Sequence, residues 1–253
     1  MWFRTIGAMN TSETATATVL TAATTTSSAG SVTIPVSGPL AAVLDIPAGS
    51  VRLVASDRAD ATVRVLPADA EKSRDVKAAQ QIQIRHDDGV LRVEAAPAKH
   101  KVLGNSGSVA VTVELPTGSR VEVKTGLAEV KSVGALGEVT VESAAGSIRL
   151  EETAAAQLIL QSGDISVERL GGSAELSTLS GDISVGEAQR GTLVLRTQSG
   201  SLSVGVARGV SATLDAGTGH GRVHNSLQNA VGGPADVNIH ATTSNGDITA
   251  RSL

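Results

Sequence analysis

The residues best suited to bind a metal or move a proton are five histidines, at positions 86, 100, 220, 224 and 240. A metal site needs two or more ligands that converge on one point, and only His220 and His224 are close in sequence. On a strand, positions four apart share a face, so Asp236 or His240 would complete a surface site beside them. Solvated turn and strand histidines are the simpler reading, and no metal is expected. Serines are abundant, yet none sits in a Gly-x-Ser-x-Gly elbow, and Ser162 and Ser180 read as turn residues. Asp164, Asp182 and Asp247 would form an acidic ladder, as in calcium-binding β-rolls. Those rolls use a Gly-Gly-x-Gly-x-Asp nonapeptide. Here the double glycine is missing and Ser201 and Arg222 replace the Asp in two copies, so calcium is not expected. Gly171-Gly172 and Gly232-Gly233-Pro234 lack the lysine and the strand-loop-helix setting of a nucleotide site. No catalytic, cofactor-binding or metal-ligating residue is therefore assigned, and no cofactor is expected.

Composition narrows the classes further. There is no cysteine, which removes disulfides, thiolate metal sites and a Cys nucleophile together. Hydrophobic residues make up 41% but aromatics only 1%, and the sole Trp and Phe are residues 2 and 3. The core must be aliphatic and its interior narrow. Sugar-cleaving β-helices set acids beside aromatic platforms, which this chain lacks. The 21 basic and 25 acidic residues give a formal charge of -4, without the concentrated positive field that nucleic acid requires. No run approaches the length of a membrane span, and the one signal-peptide candidate, residues 15–23, is broken by threonines. The cytoplasm is the default location, with surface or secreted placement left open.

The elements that would position any site are strands. Residues 1–30 are rich in Thr, Ala and Ser and read as a disordered tail, with Trp2 and Phe3 at its start. Residues 31–104 form an N-terminal β segment. In it Leu44 and Ile46 alternate with Val43, Asp45 and Pro47; a turn at Pro47-Ala48-Gly49-Ser50 precedes alternation of Val51, Leu53 and Ala55 with Arg52 and Val54. One helix is predicted over 69–80, with Asp69 as N-cap. Strands over 81–85 and 90–94 flank a hairpin turn at His86-Asp87-Asp88-Gly89, and a polar loop spans 97–108.

Residues 105–253 repeat. Ser162-Gly163-Asp164-Ile165-Ser166-Val167 recurs as Ser180-Gly181-Asp182-Ile183-Ser184-Val185, with weaker copies around Gly146, Gly200, Gly221 and Gly246. Successive glycines lie 17, 18, 19, 21 and 25 residues apart, and a second alternating strand, such as Leu158 and Leu160, precedes each. Each unit is strand, Gly turn, strand, loop, with Asp or Ser beside the glycine bonding the local backbone. One unit cannot bury its apolar side alone; stacked units share an interior. The prediction is an all-β, repetitive β-solenoid (β-helix-like) with Ile165, Ile183 and Leu202 aligned in neighbouring layers. An antiparallel β-meander or sandwich is the alternative.

Leu44-Asp45-Ile46-Pro47-Ala48-Gly49-Ser50-Val51, the recurring Ser-Gly-Asp-Ile-Ser-Val and the closing Thr242-Thr243-Ser244-Asn245-Gly246-Asp247-Ile248-Thr249 carry a family resemblance. Over residues 39–253 the chain resembles a bacterial family of unknown function, described as putative adhesins with β-strand repeats. The resemblance implies a β-helix-like fold and brings no catalytic residues. The expected function is a non-enzymatic structural or interaction scaffold whose partner is an unidentified protein or a second copy paired through the sheet ends. A carbohydrate-binding or carbohydrate-cleaving β-helix protein is the alternative.

Overall fold

The computed structural model describes residues 30–95, 107–228 and 235–253. The N-terminal part contains β1 (Ser31–Pro35), β2 (Ala41–Ser56), β3 (Asp60–Pro67), helix α1 (Ser73–Gln80), β4 (Ile82–Asp87) and β5 (Val90–Ala95). Next come β6 (Val109–Pro116), β7 (Arg120–Val133) and the long β8 (Ala135–Ser162). The repeats supply β9 (Ile165–Leu170), β10 (Ala174–Ser180), β11 (Ile183–Ala188), β12 (Gly191–Ser199), β13 (Leu202–Val206), β14 (Ala212–His220), β15 (Val223–Ser226), β16 (Val237–Asn245) and β17 (Ile248–Ser252).

Each repeat is one coil of a solenoid: a first arm, a glycine corner and a second arm. Pairing between coils is parallel and in register, which rules out the meander. In the second arms Ile148, Ile165, Ile183, Leu202 and Ile248 form one column and Leu150, Val167, Val185, Val204 and Ala250 the next, all buried. In the first arms Leu158, Leu176, Leu195 and Ala241 align in the same way. Burying a Val, Leu or Ile contributes roughly 1.5–3 kcal/mol, so a slender aliphatic interior suffices if every coil fills its slots. It needs no aromatic ring.

The corners depend on glycine. At Gly181 φ is +142°, and a Cβ would stand 2.1 Å from the carbonyl oxygen of Gly163 in the coil beneath. Only glycine combines that dihedral with so close an approach.

Coil order in space departs from order in the chain. The last coil, β16 and β17, is inserted between β12/β13 and β14/β15, so β14/β15 forms the tip of the stack and the C-terminal segment lies one layer inside. The unit around Gly246, matched by a coil on both sides, reads Asn-Gly-Asp-Ile-Thr-Ala, and the unit around Gly221, matched on one side, reads His-Gly-Arg-Val-His-Asn.

The N-terminal part joins the same stack. The turn expected at 47–50 is a corner inside the continuous strand β2, with φ +136° at Gly49. Both arms of β2 lie parallel between β7 on one side and β5 and β6 on the other. Beyond them β3 and β4 run antiparallel, and β1 adds antiparallel to β3. Helix α1 covers β3 and β6, burying Ala79 and Asp75, whose Oδ1 accepts the Ser108 amide at 3.0 Å. The helix is shorter than the 69–80 expected. It starts at Ser73 with Lys72 as N-cap, because Asp69 Oδ1 is taken by the Glu71 amide at 3.0 Å and Asp69 Oδ2 by Lys72 Nζ at 2.8 Å, which fixes a turn instead. The 86–89 hairpin turn is present, with φ +51° at Asp88 and +75° at Gly89. The Thr/Ala/Ser-rich residues 1–29, expected as a disordered tail with Trp2 and Phe3 at its start, and most of the 97–108 loop lie outside the described residues.

Candidate interaction surfaces

The repeated aspartates sit at the corners and bond across coils, not to their own turn. Asp164 Oδ1 accepts the Asp182 amide at 2.9 Å, Asp182 Oδ1 the Ser201 amide at 2.7 Å, and Asp247 Oδ1 the Arg222 amide at 2.8 Å. The acidic ladder is thus a set of staples between layers. Its oxygens satisfy amides that the corner would otherwise leave without partners.

A second staple escaped the sequence reading. Three residues before the glycine, Thr178, Thr197, Thr243 and Thr218 turn inward, and each donates its Oγ1 hydrogen to the carbonyl of the glycine in the adjacent coil: Gly163 at 3.2 Å, Gly181 at 3.1 Å, Gly200 at 3.0 Å and Gly246 at 2.9 Å. The signal was a recurring Thr-x-x-Gly, hidden because a threonine on an apolar face resembles a conservative replacement of valine. Ser162 and Ser180, opposite each other in register, end their first arms at the same corners.

The histidines do not converge. His220 ends β14 opposite Asn245, while His224 lies past the corner on β15, its Nε2 3.0 Å from Ser226 Oγ. His240 lies on β16 with Nδ1 3.3 Å from Asp215 Oδ2, and Asp236 Oδ2 accepts the Ser211 amide at 3.3 Å. The corner puts His220 and His224 on different arms, so the four-residue spacing along one strand does not apply. His86 lies on β4, at the far end of the stack; His100 and Gly232-Gly233-Pro234 lie outside the described residues. Among the described residues no three His, Asp or Glu side chains are close enough to share a metal ion. Gly172 serves packing, since a Cβ there would stand 2.5 Å from the Ala154 carbonyl oxygen.

The outer face of the second arms bears one continuous row across coils, Arg52, Lys131, Arg149, Ser166, Ser184, Ser203 and Thr249. A shallow groove of about 240 Å³ runs over its basic part, with Glu151 and Glu168 on its rim. Glu129 bridges Lys131 at 2.7 Å and Arg149 at 3.2 Å; those two cations, Lys131 foremost, hold its carboxyl below the usual range. Glu151 is lowered first by the Gly134 amide and then by Arg169, whose own pKa is raised by Glu152 and Glu151. Glu129 thus pairs with Lys131 within β7 and with Arg149 across to β8, while Arg169 on β9 pairs across to Glu151 and Glu152 on β8.

The outer face of the first arms is also nearly flat. Ile159, Leu179 and, at a corner, Leu127 are 41%, 50% and 58% exposed, separated by polar neighbours such as Gln161 and Ser177. Apolar residues scattered singly in this way are ordinary surface. Among the described residues no helix is long and apolar enough to cross a membrane.

No match exists among curated proteins. Solved structures aligned with the chain include a "putative adhesin" from Bacteroides fragilis, 17% identical over 87% of this chain and 95% of that one, with a TM-score of 0.45. A "putative lipid binding protein" from Parabacteroides distasonis is 14% identical over 87% and 96%, with a TM-score of 0.41. A "putative cell adhesion protein" from Clostridium sporogenes is 12% identical over 88% and 99%, with a TM-score of 0.37. A family model matches residues 82–251, from β4 into the last coil, and the chain belongs to the Toastrack DUF4097 family.

Proposed function

We propose that this protein is a non-enzymatic scaffold that works by presenting extended sheet surfaces to a macromolecular partner. The observation that carries the reading is the fate of its polar repeat positions. The corner aspartates and threonines, the most regularly placed polar groups in the chain, have backbone groups of the next coil as partners. A catalytic constellation needs an acid, base or nucleophile aimed at a shared point in a concave site. Here the reactive side chains are spread along an axis and the grooves are shallow.

A panel of glycoside hydrolase and polysaccharide lyase substrates, run beside a glycan array, tests the proposal. Turnover of any substrate would overturn it. Saturable glycan binding without turnover would retain the scaffold and make a sugar polymer its partner.

A further inference from the structure

The two ends of the stack are built differently. At the N-terminal end the parallel coils give way to the antiparallel strands β3, β4 and the short β1, which has Pro35 at its end, and α1 covers β3 and β6. Short strands, proline and a covering helix all blunt an edge against further pairing. At the other end, β14 and β15 pair only with β16 and β17 among the described residues. Their inward positions continue the core columns, and no described strand covers them on the outer side. Leu214 and Ala216 are half-buried and Val223 is 45% exposed, whereas Ile239, Ala241 and Ile248, one coil further in, are buried.

We propose that the β14/β15 tip is a self-association surface whose partner is the same tip of a second copy. What covers such a tip must offer two strands at the spacing of the arms and aliphatic slots in line with Leu214 and Val223, and an identical tip offers both. Stacking tip onto base is disfavoured because the base is blunted. Joining two tips requires a two-fold axis, which turns one copy over and sets the edge strands antiparallel. That contact is isologous and closes at two copies.

Area sets the strength. With nine residues in β14, a strand rise of about 3.3 Å and sheets about 10 Å apart, the tip covers on the order of 300 Å² per copy. Standard stable interfaces bury about 800 Å² per partner, so this dimer belongs to the weak class and dissociates on dilution through the micromolar range. The inference rests on the scaffold reading and names its partner. The substrate panel decides the former and sedimentation the latter.

The test is sedimentation velocity on the full chain from about 1 μM to 1 mM. The expected result is a monomer–dimer equilibrium with nothing larger. Val223→Lys and Asn225→Lys, each on an exposed tip position, should weaken dimerisation at least tenfold while both variants still melt cooperatively. Leu66→Lys, on the N-terminal part at 49% exposure, should leave it unchanged. Monomer at every concentration, species beyond the dimer, or a dimer indifferent to both tip variants would each overturn the proposal.

Discussion

Gly181→Ala tests the stacking geometry most directly. The new Cβ would lie 2.1 Å from Gly163 O and 2.5 Å from Gly163 C, against ordinary contact at 3.4 Å or more, so the coils would have to part locally by about 1.3 Å. That is a quarter of the strand spacing of about 4.8 Å. Two staples join these two coils at the corner: Thr178 Oγ1 donates to Gly163 O, and Asp164 Oδ1 receives the Asp182 amide. Losing them costs about 0.5–1.5 kcal/mol each, and alanine at φ +142° adds about 1–3 kcal/mol of backbone strain. The sum is about 2–6 kcal/mol, a large fraction of a typical stability of about 5–15 kcal/mol. Gly217→Ala is the matched control, because Gly217 has no positive φ and a Cβ there meets nothing within 4 Å; it should shift stability by less than about 1 kcal/mol. Urea unfolding followed by circular dichroism measures both. Midpoints for the two variants that agree within error would refute the close-packed corner.

Val185→Asp should cost more than about 3 kcal/mol, since it leaves a carboxylate inside an apolar column, whereas Asp182→Asn keeps the acceptor oxygen for the Ser201 amide and should cost less than about 1 kcal/mol; thermal melts separate the two. Deleting residues 237–253 removes Val237, Ile239 and Ile248 from the interior at roughly 1.5–3 kcal/mol each and strands the tip coil, so limited proteolysis should then cut within 212–226. Glu129 and Glu151 have folded pKa values below the usual 4.5, so their stabilising contribution is complete above that pH and is lost as pH falls through the lower folded values. Glu151→Gln should flatten the acid side of the stability profile measured by urea titration at stepped pH.

How much of this was legible in the sequence differs by feature. The aliphatic columns were readable because alternation at period two and the recurring Ser-Gly-Asp-Ile-Ser-Val name the face and the register at once. Ile165, Ile183 and Leu202 do lie in adjacent layers. Coil order was not readable, because identical slots accept any unit of the same shape, and nothing local says that the unit around Gly246 precedes that around Gly221 in space. The corner at 47–50 was readable only as a turn, because Pro, Gly and Ser mark turns and corners alike. The direction of the aspartate bonds was hidden for a related reason. A carboxylate beside a glycine has a local amide and a neighbouring coil's amide within reach, and only stacking decides between them.

The inward placement of the C-terminal coil has a consequence for synthesis. A chain made from its N-terminus presents β14 and β15 before β16 and β17 exist, so the tip lacks the layer it rests on in the folded stack until residues 237–252 have been added. Assembly of this end therefore waits until β16 and β17 have been made. A chain cut short before residue 237 would have its tip detached and a fresh pair of edges, β12 and β13, exposed to its neighbours.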